Sequence, residues 1–456
     1  MSDHSQTIWF DSALLEGGWA RDVRFTLRSG VIDEVQIGVA RASGEQAHGP
    51  ALPGMPNLHS HAFQRGMAGL AEVRGPSSDS FWTWREVMYR FLRRLGPEDL
   101  QAIAAQAYVE MLEAGFTRVG EFHYLHHDVD GAPFANPAEM AVAIAEAADE
   151  TGLGLTLLPV FYAHAGFGGV APTEGQSRFI HDLDGFARLL EASRKAVADL
   201  PGAVVGLAPH SLRAVTPEEL TALSALAGET PIHIHIAEQT REVEDCVVWS
   251  GARPVEWLLG NLQVGERWCL VHATHMTPDE TLALARSGAV AGLCPITEAN
   301  LGDGLFPALE FQNAGGLFGI GSDSNVLIDA AEELRVLEYG QRLARRTRNV
   351  LALEAGGSTG ADLYRAAAAG GAQALGQPIA GLRKGAPADI VSLDPSHPAL
   401  AGRSGDVLLD SFVFAGRKDL IDGVWRAGAK LVTNGRHRRR AEIAARYRQV
   451  LENVLA

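Results

Sequence analysis

The sequence predicts a (β/α)8 barrel joined to a small β-sandwich domain that both termini build, and three observations predict it. From about residue 50 onward, short apolar, β-branched runs alternate with amphipathic stretches that carry helix-start signals, which is how parallel βα units read. Side chains able to ligate a metal stand at the C-terminal ends of several of those runs, where barrel enzymes place their sites. The flanks read instead as short alternating strands with glycine turns. The expected division is residues 51–375 for the barrel and residues 1–50 with 376–456 for the sandwich.

Taken in order, residues 23–27 and 31–37 alternate apolar and polar side chains, as half-buried strands do. Eight barrel strands follow at residues 51–58, 117–122, 153–161, 203–208, 231–237, 268–272, 289–294 and 316–321. The intervening helices announce themselves. Pro97-Glu98-Asp99, Thr216-Pro217-Glu218-Glu219 and Thr277-Pro278-Asp279-Glu280 each put Pro and acidic residues in a first turn, where the missing N–H costs nothing and the dipole favours negative charge. A further helix is expected near residues 331–346, and strands return at 388–393 and 423–431. The basic stretch at residues 436–440 reads as a solvated helix start or an oligomer contact.

Among 456 residues, 39 Lys and Arg stand against 55 Asp and Glu, a formal net charge of −16. Such a chain repels polyanions, which argues against a nucleic-acid or membrane-surface partner. No uncharged apolar run reaches the roughly 18 residues a membrane span needs, and the opening MSDHSQTIWF has no apolar signal core, so a cytoplasmic protein is expected. Cys246, Cys269 and Cys294 are scattered, form no CxxC pair and read as small buried hydrophobes in a reducing compartment. A homodimer is expected on the general prevalence of C2 assemblies.

His59 and His61 are two apart on a strand, so both imidazoles face one side and can share an ion. By themselves they could equally be a hydrogen-bonded structural pair. Further candidates stand at other strand ends: His235 and Glu238 after strand five, His272 after strand six and Asp323 after strand eight. Core packing, which prefers apolar layers, does not account for that agreement, and a metal site is expected.

The motifs LHSH at His59 and His61, HIHIAE at His235, LVHATH at His272 and GSDS at Asp323 resemble the amidohydrolase superfamily over nearly the whole chain. Residues 381–390 (GLRKGAPADI) resemble its return into a β-sandwich. The resemblance implies that His59, His61, His235 and Asp323 are metal ligands, with Glu238 and His272 around a bound water. Some relatives bridge two metals with a lysine, but Lys195, Lys384, Lys418 and Lys430 are the only lysines and none ends a strand. One divalent ion is therefore expected, with zinc the default and iron or manganese open to the same donors. The implied chemistry is attack of a metal-activated hydroxide on an sp² carbon. Asp323 accepts the water's proton, Glu238 carries one to the departing nitrogen, and His272 orients the hydroxide. Glu238 as a partner of a ligand histidine, and His272 as a fifth ligand, stay open.

Around this core stand Gln64, Arg85, Tyr124, His210 and Arg213, on the long loop after strand one and the ends of strands two and four. Two arginines in an acidic protein point to a small anionic substrate, because guanidinium matches carboxylate in bidentate geometry, although each alone could be a structural ion pair. The run AFQRGMAGL followed by SFWTWREVMYRF resembles one branch of the superfamily, the formimidoylglutamate deiminases of histidine degradation. That resemblance implies zinc-dependent hydrolysis of N-formimino-L-glutamate to N-formyl-L-glutamate and ammonia, with Gln64, Arg85, Tyr124, His210 and Arg213 as substrate contacts. The alternatives are a deaminase or related hydrolase of a purine, pterin or triazine ring, and a non-catalytic scaffold. Pro295-Ile296-Thr297-Glu298-Ala299-Asn300, in place of a PxSN-like run, argues against the ring substrates. His123, His126 and His127 read as solvated or hydrogen-bonded loop histidines rather than a second metal cluster.

Overall fold

A computed structural model describes residues 5–75, 80–377 and 380–456. Eight parallel strands form the barrel: β1 (Met55–Ser60), β2 (Phe116–His123), β3 (Gly154–Phe161), β4 (Ala208–Pro209), β5 (Ile232–Ile236), β6 (Trp268–His272), β7 (Val290–Leu293) and β8 (Leu317–Ile320). They are hydrogen-bonded in the order β4-β3-β2-β1-β8-β7-β6-β5. The ends of that order meet as well. Leu207 N–H donates to Pro231 O at 3.0 Å, His233 N–H to Leu207 O at 3.1 Å and His235 N–H to His210 O at 3.1 Å, which closes the ring. Strand β4 is the weakest rung, with Val204–Val205 pairing separately on β3.

The first expected strand, residues 51–58, is in fact two. Ala51–Pro53 pairs with Ile390–Leu393 in the terminal sheet, whereas Met55–Ser60 enters the barrel. Gly54 makes the crossing, because a Cβ there would sit 2.2 Å from Thr117 Oγ1. The change of sheet thus happens within one residue, and apolar runs on both sides conceal it. A similar concealment covers residues 423–431, which are the hairpin Ile421–Arg426 and Ala429–Thr433. Its turn holds Ala427 at φ 46° and Gly428 at φ 77°, the two positive φ values of a type I′ connection.

Strands from both termini share one sheet, running from Arg436–His437 through Ile390–Leu393 to Gln6–Leu15, Gly18–Arg28 and Val31–Gln36. The sheet rolls back on itself. Ile32 N–H donates to Ala386 O and Ala388 N–H to Gly30 O, both at 2.9 Å, joining the far edge to the chain that enters Ile390–Leu393. Phe10 meets Trp425 with ring centroids 5.5 Å apart, although their strands are separated by two others in the sheet. Flat strands at about 4.8 Å spacing would hold them roughly 14 Å apart. Phe10, Phe25, Ile390 and Trp425 belong to a core separate from that of the barrel.

The helix Arg440–Leu455 packs on Pro97–Glu113. Its basic start pairs within the chain, Arg440 with Glu113 and Arg439 with Glu150 at 3.2 Å. No described helix is long and apolar enough to cross a membrane. All three cysteines are free and buried, as expected.

Candidate active site

The site forms where β1 and β8 are clipped together. His61 N–H donates to Asp323 O, and Asp323 N–H donates to His59 O, each at 3.0 Å. Gly321 permits this approach, since a Cβ there would lie 2.8 Å from His59 O. A buried amide and hydroxyl network fixes the seam: Asn57 Nδ2 donates to Ser322 Oγ at 2.7 Å, and Ser322 Oγ donates to Asn325 Oδ1 at 2.6 Å. Asn325 Nδ2 donates in turn to Ser60 Oγ and to the His61 carbonyl at 3.1 Å. Every member of the network has a partner, which makes it rigid rather than costly.

Those contacts aim the side chains. His61 Nδ1–H donates to Phe122 O at 2.9 Å, and His235 Nδ1–H donates to His210 O at 3.1 Å, so each presents an Nε2 lone pair to the centre. His59 Nε2 lies 3.1 Å from His235 Nε2 and 3.4 Å from Asp323 Oδ1, and His61 Nε2 lies 3.3 Å from that oxygen. Ring nitrogens and a carboxylate oxygen converge there, a donor set that a cation can satisfy. A tetrahedron with metal–ligand bonds of about 2.0–2.1 Å has edges of about 3.3–3.4 Å, close to these separations. The donor set therefore fits a divalent ion, and His59, His61 and His235 form a buried cluster able to hold one. A second grouping, His272, Cys294 and Asp323, shares the same carboxylate. Burial opposes ionisation of Asp323, but His59, His61 and His272 hold its carboxyl well below the usual range.

Beside this cluster, Glu238 Oε1 and Asp323 Oδ2 each lie 3.9 Å from His272 Nε2. Burial pushes the Glu238 carboxyl up to about 7, with His272 pulling against it and Asp323 adding to it. His272 goes the other way: burial favours the neutral ring, yet Glu238, the hydrogen bond to Glu298 and Asp323 raise it to about 10. Glu298 reaches His272 Nδ1 at 3.3 Å. Left-handed backbone at Ala237, His272, Ala273 and Asp323 concentrates strain at these strand ends, as functional sites do.

The cluster floors a cavity at this end of the barrel. His61, His235, Glu238, His272 and Asp323 line it together with Gln64, Arg85, Tyr124, His210 and Arg213. Of the residues expected at the site, only His59 lies outside the lining, fully buried beneath it. Gln64 Nε2 donates to Tyr124 Oη at 3.0 Å, and His210 Nδ1 lies 3.2 Å from Ser211 Oγ. Arg85 is not on a loop. It sits in a helix, Phe81–Leu92, whose first turn is closed by Ser80 N–H donating to Thr83 Oγ1 at 3.0 Å. Arg178 caps the other end through the carbonyls of Leu92 and Leu95. His126 and His127 are buried and bonded to the carbonyls of Val160 and Ile180, so of the two readings given to them the solvated one falls. The sequence reading missed Tyr162, Tyr89 and Glu298. Tyr162 directly follows β3 and was open to the strand-end argument, and Tyr89 lies one helical turn beyond Arg85.

Residues 51–431 match the profile of the Amidohydrolase family, and residues 5–49 match that of the Formimidoylglutamate deiminase HutF, N-terminal domain. The chain is 54% identical to the formimidoylglutamate deiminase of Pseudomonas aeruginosa over 98% of its own length and 99% of that protein's. Among solved structures, an amidohydrolase from Brucella melitensis superposes with a TM-score of 0.96 at 57% identity, covering 99% of this chain and 100% of its own. An adenosine deaminase from Xanthomonas campestris with bound zinc shares the fold at a TM-score of 0.80 and 22% identity, over 98% of each chain. The chain belongs to the amidohydrolase family, which the strand-end motifs resembled. Within that family its place is among the formimidoylglutamate deiminases, which its N-terminal residues and its near full-length identity both mark.

Proposed function

We propose that the chain hydrolyses N-formimino-L-glutamate to N-formyl-L-glutamate and ammonia, in histidine degradation. The observation that carries this reading is the mixed charge of the cavity lining, where Arg85 and Arg213 stand together with Glu238 and Asp323. A substrate with two carboxylates and one basic formimino group offers the opposite charge to each of these groups. The donors that would hold a metal are His59, His61, His235 and Asp323, with zinc our reading, and such an ion supplies the Lewis acidity that makes water nucleophilic near neutral pH.

The chain's own groups supply the rest. Arg85 and Arg213, with Gln64, Tyr124 and His210, bind the two carboxylates and so place the formimino carbon above Glu238 and Asp323. Asp323 takes a proton from the attacking water, and Glu238 carries one to the departing nitrogen, a task suited to a carboxyl near 7. His272, held cationic by Glu238 and Glu298, donates from Nε2 to the oxygen as it gains charge. Collapse of the tetrahedral adduct breaks the bond to the terminal nitrogen and leaves the formyl group on glutamate. A cytoplasmic location suits three unpaired thiols.

Arg213→Ala tests the binding half of this account. It should raise KM for N-formimino-L-glutamate by about 10- to 100-fold, the value of a charge-assisted hydrogen bond, with kcat within a few-fold of wild type and metal content unchanged. An unchanged KM, or loss of the metal, would count against the placement of Arg213.

A further inference from the structure

We infer that Trp82 is a positioning residue, holding the guanidinium groups of Arg85 and Arg213 at the cavity from outside it. The inference rests on the proposal that these two arginines bind the substrate carboxylates. Two guanidinium groups brought together in one small cavity repel each other, and something must hold them there before an anion arrives. Carboxylates do that for Arg213 in part, through buried Glu242, and not for Arg85. Among the described residues Arg85 has no ion pair, and Arg213 has only Glu242 at 3.9 Å, beyond hydrogen-bond reach. The Nε atoms of both are buried without a hydrogen-bond partner among the described residues.

The indole of Trp82 takes that place. Its ring centroid lies 4.7 Å from Arg85 Cζ and 5.7 Å from Arg213 Cζ. A third cation, Arg241 at the start of the helix Thr240–Ser250, lies 5.1 Å from the same ring. An indole carries the most negative π-face of any side chain, and a cation within about 6 Å of its centroid is attracted to it. Trp82 therefore ties together three segments, the helix Phe81–Leu92, the chain leaving β4 and the chain leaving β5. It does not line the cavity, so its effect passes through the arginines. Arg241 faces Asp245 at 3.7 Å on the surface and Arg213 faces buried Glu242 at 3.9 Å, so Arg85, with no ion pair among the described residues, is the cation that depends most on the ring.

The test compares Trp82→Phe with Trp82→Leu and Trp82→Met in the metal-loaded enzyme. It measures KM and kcat for N-formimino-L-glutamate, metal content, and the Kd of glutarate by calorimetry. Trp82→Leu and Trp82→Met should each raise KM and the glutarate Kd by about tenfold, with kcat within twofold and metal content unchanged, whereas Trp82→Phe should stay within about threefold of wild type. Equal behaviour of Phe, Leu and Met variants would make the residue mere packing and overturn the inference. A fall in kcat without a rise in KM would do the same. Failure of the wild type to turn over N-formimino-L-glutamate would instead sink the proposed function, and the glutarate affinities would still decide the role of Trp82.

Discussion

Glu238→Gln lowers kcat for N-formimino-L-glutamate by about 10³-fold, within the range that positioned acid–base groups contribute. The substitution keeps the shape and removes the proton traffic. Glu238 is buried 3.9 Å from His272 Nε2, and burial holds its carboxyl at about 7, where it can both accept and release a proton. An amide can do neither. KM should stay within a few-fold, because the carboxylate-binding walls are untouched. A variant with kcat near wild type would show that the proton moves by another route, and Glu238 would then be only a neighbour of His272.

Asp323→Asn has a still larger expected effect, about 10⁴-fold in kcat, at the upper end of what one proton-transfer group supplies. The carboxylate faces His59 and His61 at 3.4 and 3.3 Å and His272 at 3.9 Å, so its charge organises the whole floor. The fold should survive, since the residue's backbone bonds with His59 and His61 remain. Thermal unfolding and metal content checked beside the rate separate loss of chemistry from loss of structure. Turnover within tenfold of wild type would contradict the role given to Asp323.

The floor of the site was legible in the sequence because its geometry is local. His59 and His61 share a face by strand alternation, and His235, His272 and Asp323 stand where strands end, so spacing alone brings them to one rim. The walls were not legible by spacing. Gln64, Tyr124, His210 and the two arginines were placed by the loop after strand one and the ends of strands two and four, and only the resemblance made them substrate contacts; Arg85 was expected on a loop although the structure puts it on a helix. That helix hides because its apolar face is short, with only Met88, Phe91 and Leu92 buried. Trp82 was quoted within its motif without a role, since its three arginines come from segments that meet only in the folded barrel. The division at Gly54 escaped for a different reason. Both sheets ask for apolar residues there, and only the crowding at Thr117 shows where one ends.

The central claim is that the cavity reads two carboxylates before it hydrolyses a C–N bond. Ammonia release by the zinc-loaded protein, followed in parallel on N-formimino-L-glutamate, N-formiminoglycine and guanine, tests it most directly. The account predicts strong turnover of the dicarboxylate, weak turnover of the glycine analogue through a raised KM, and none of guanine. Turnover of guanine with silence on N-formimino-L-glutamate would contradict it.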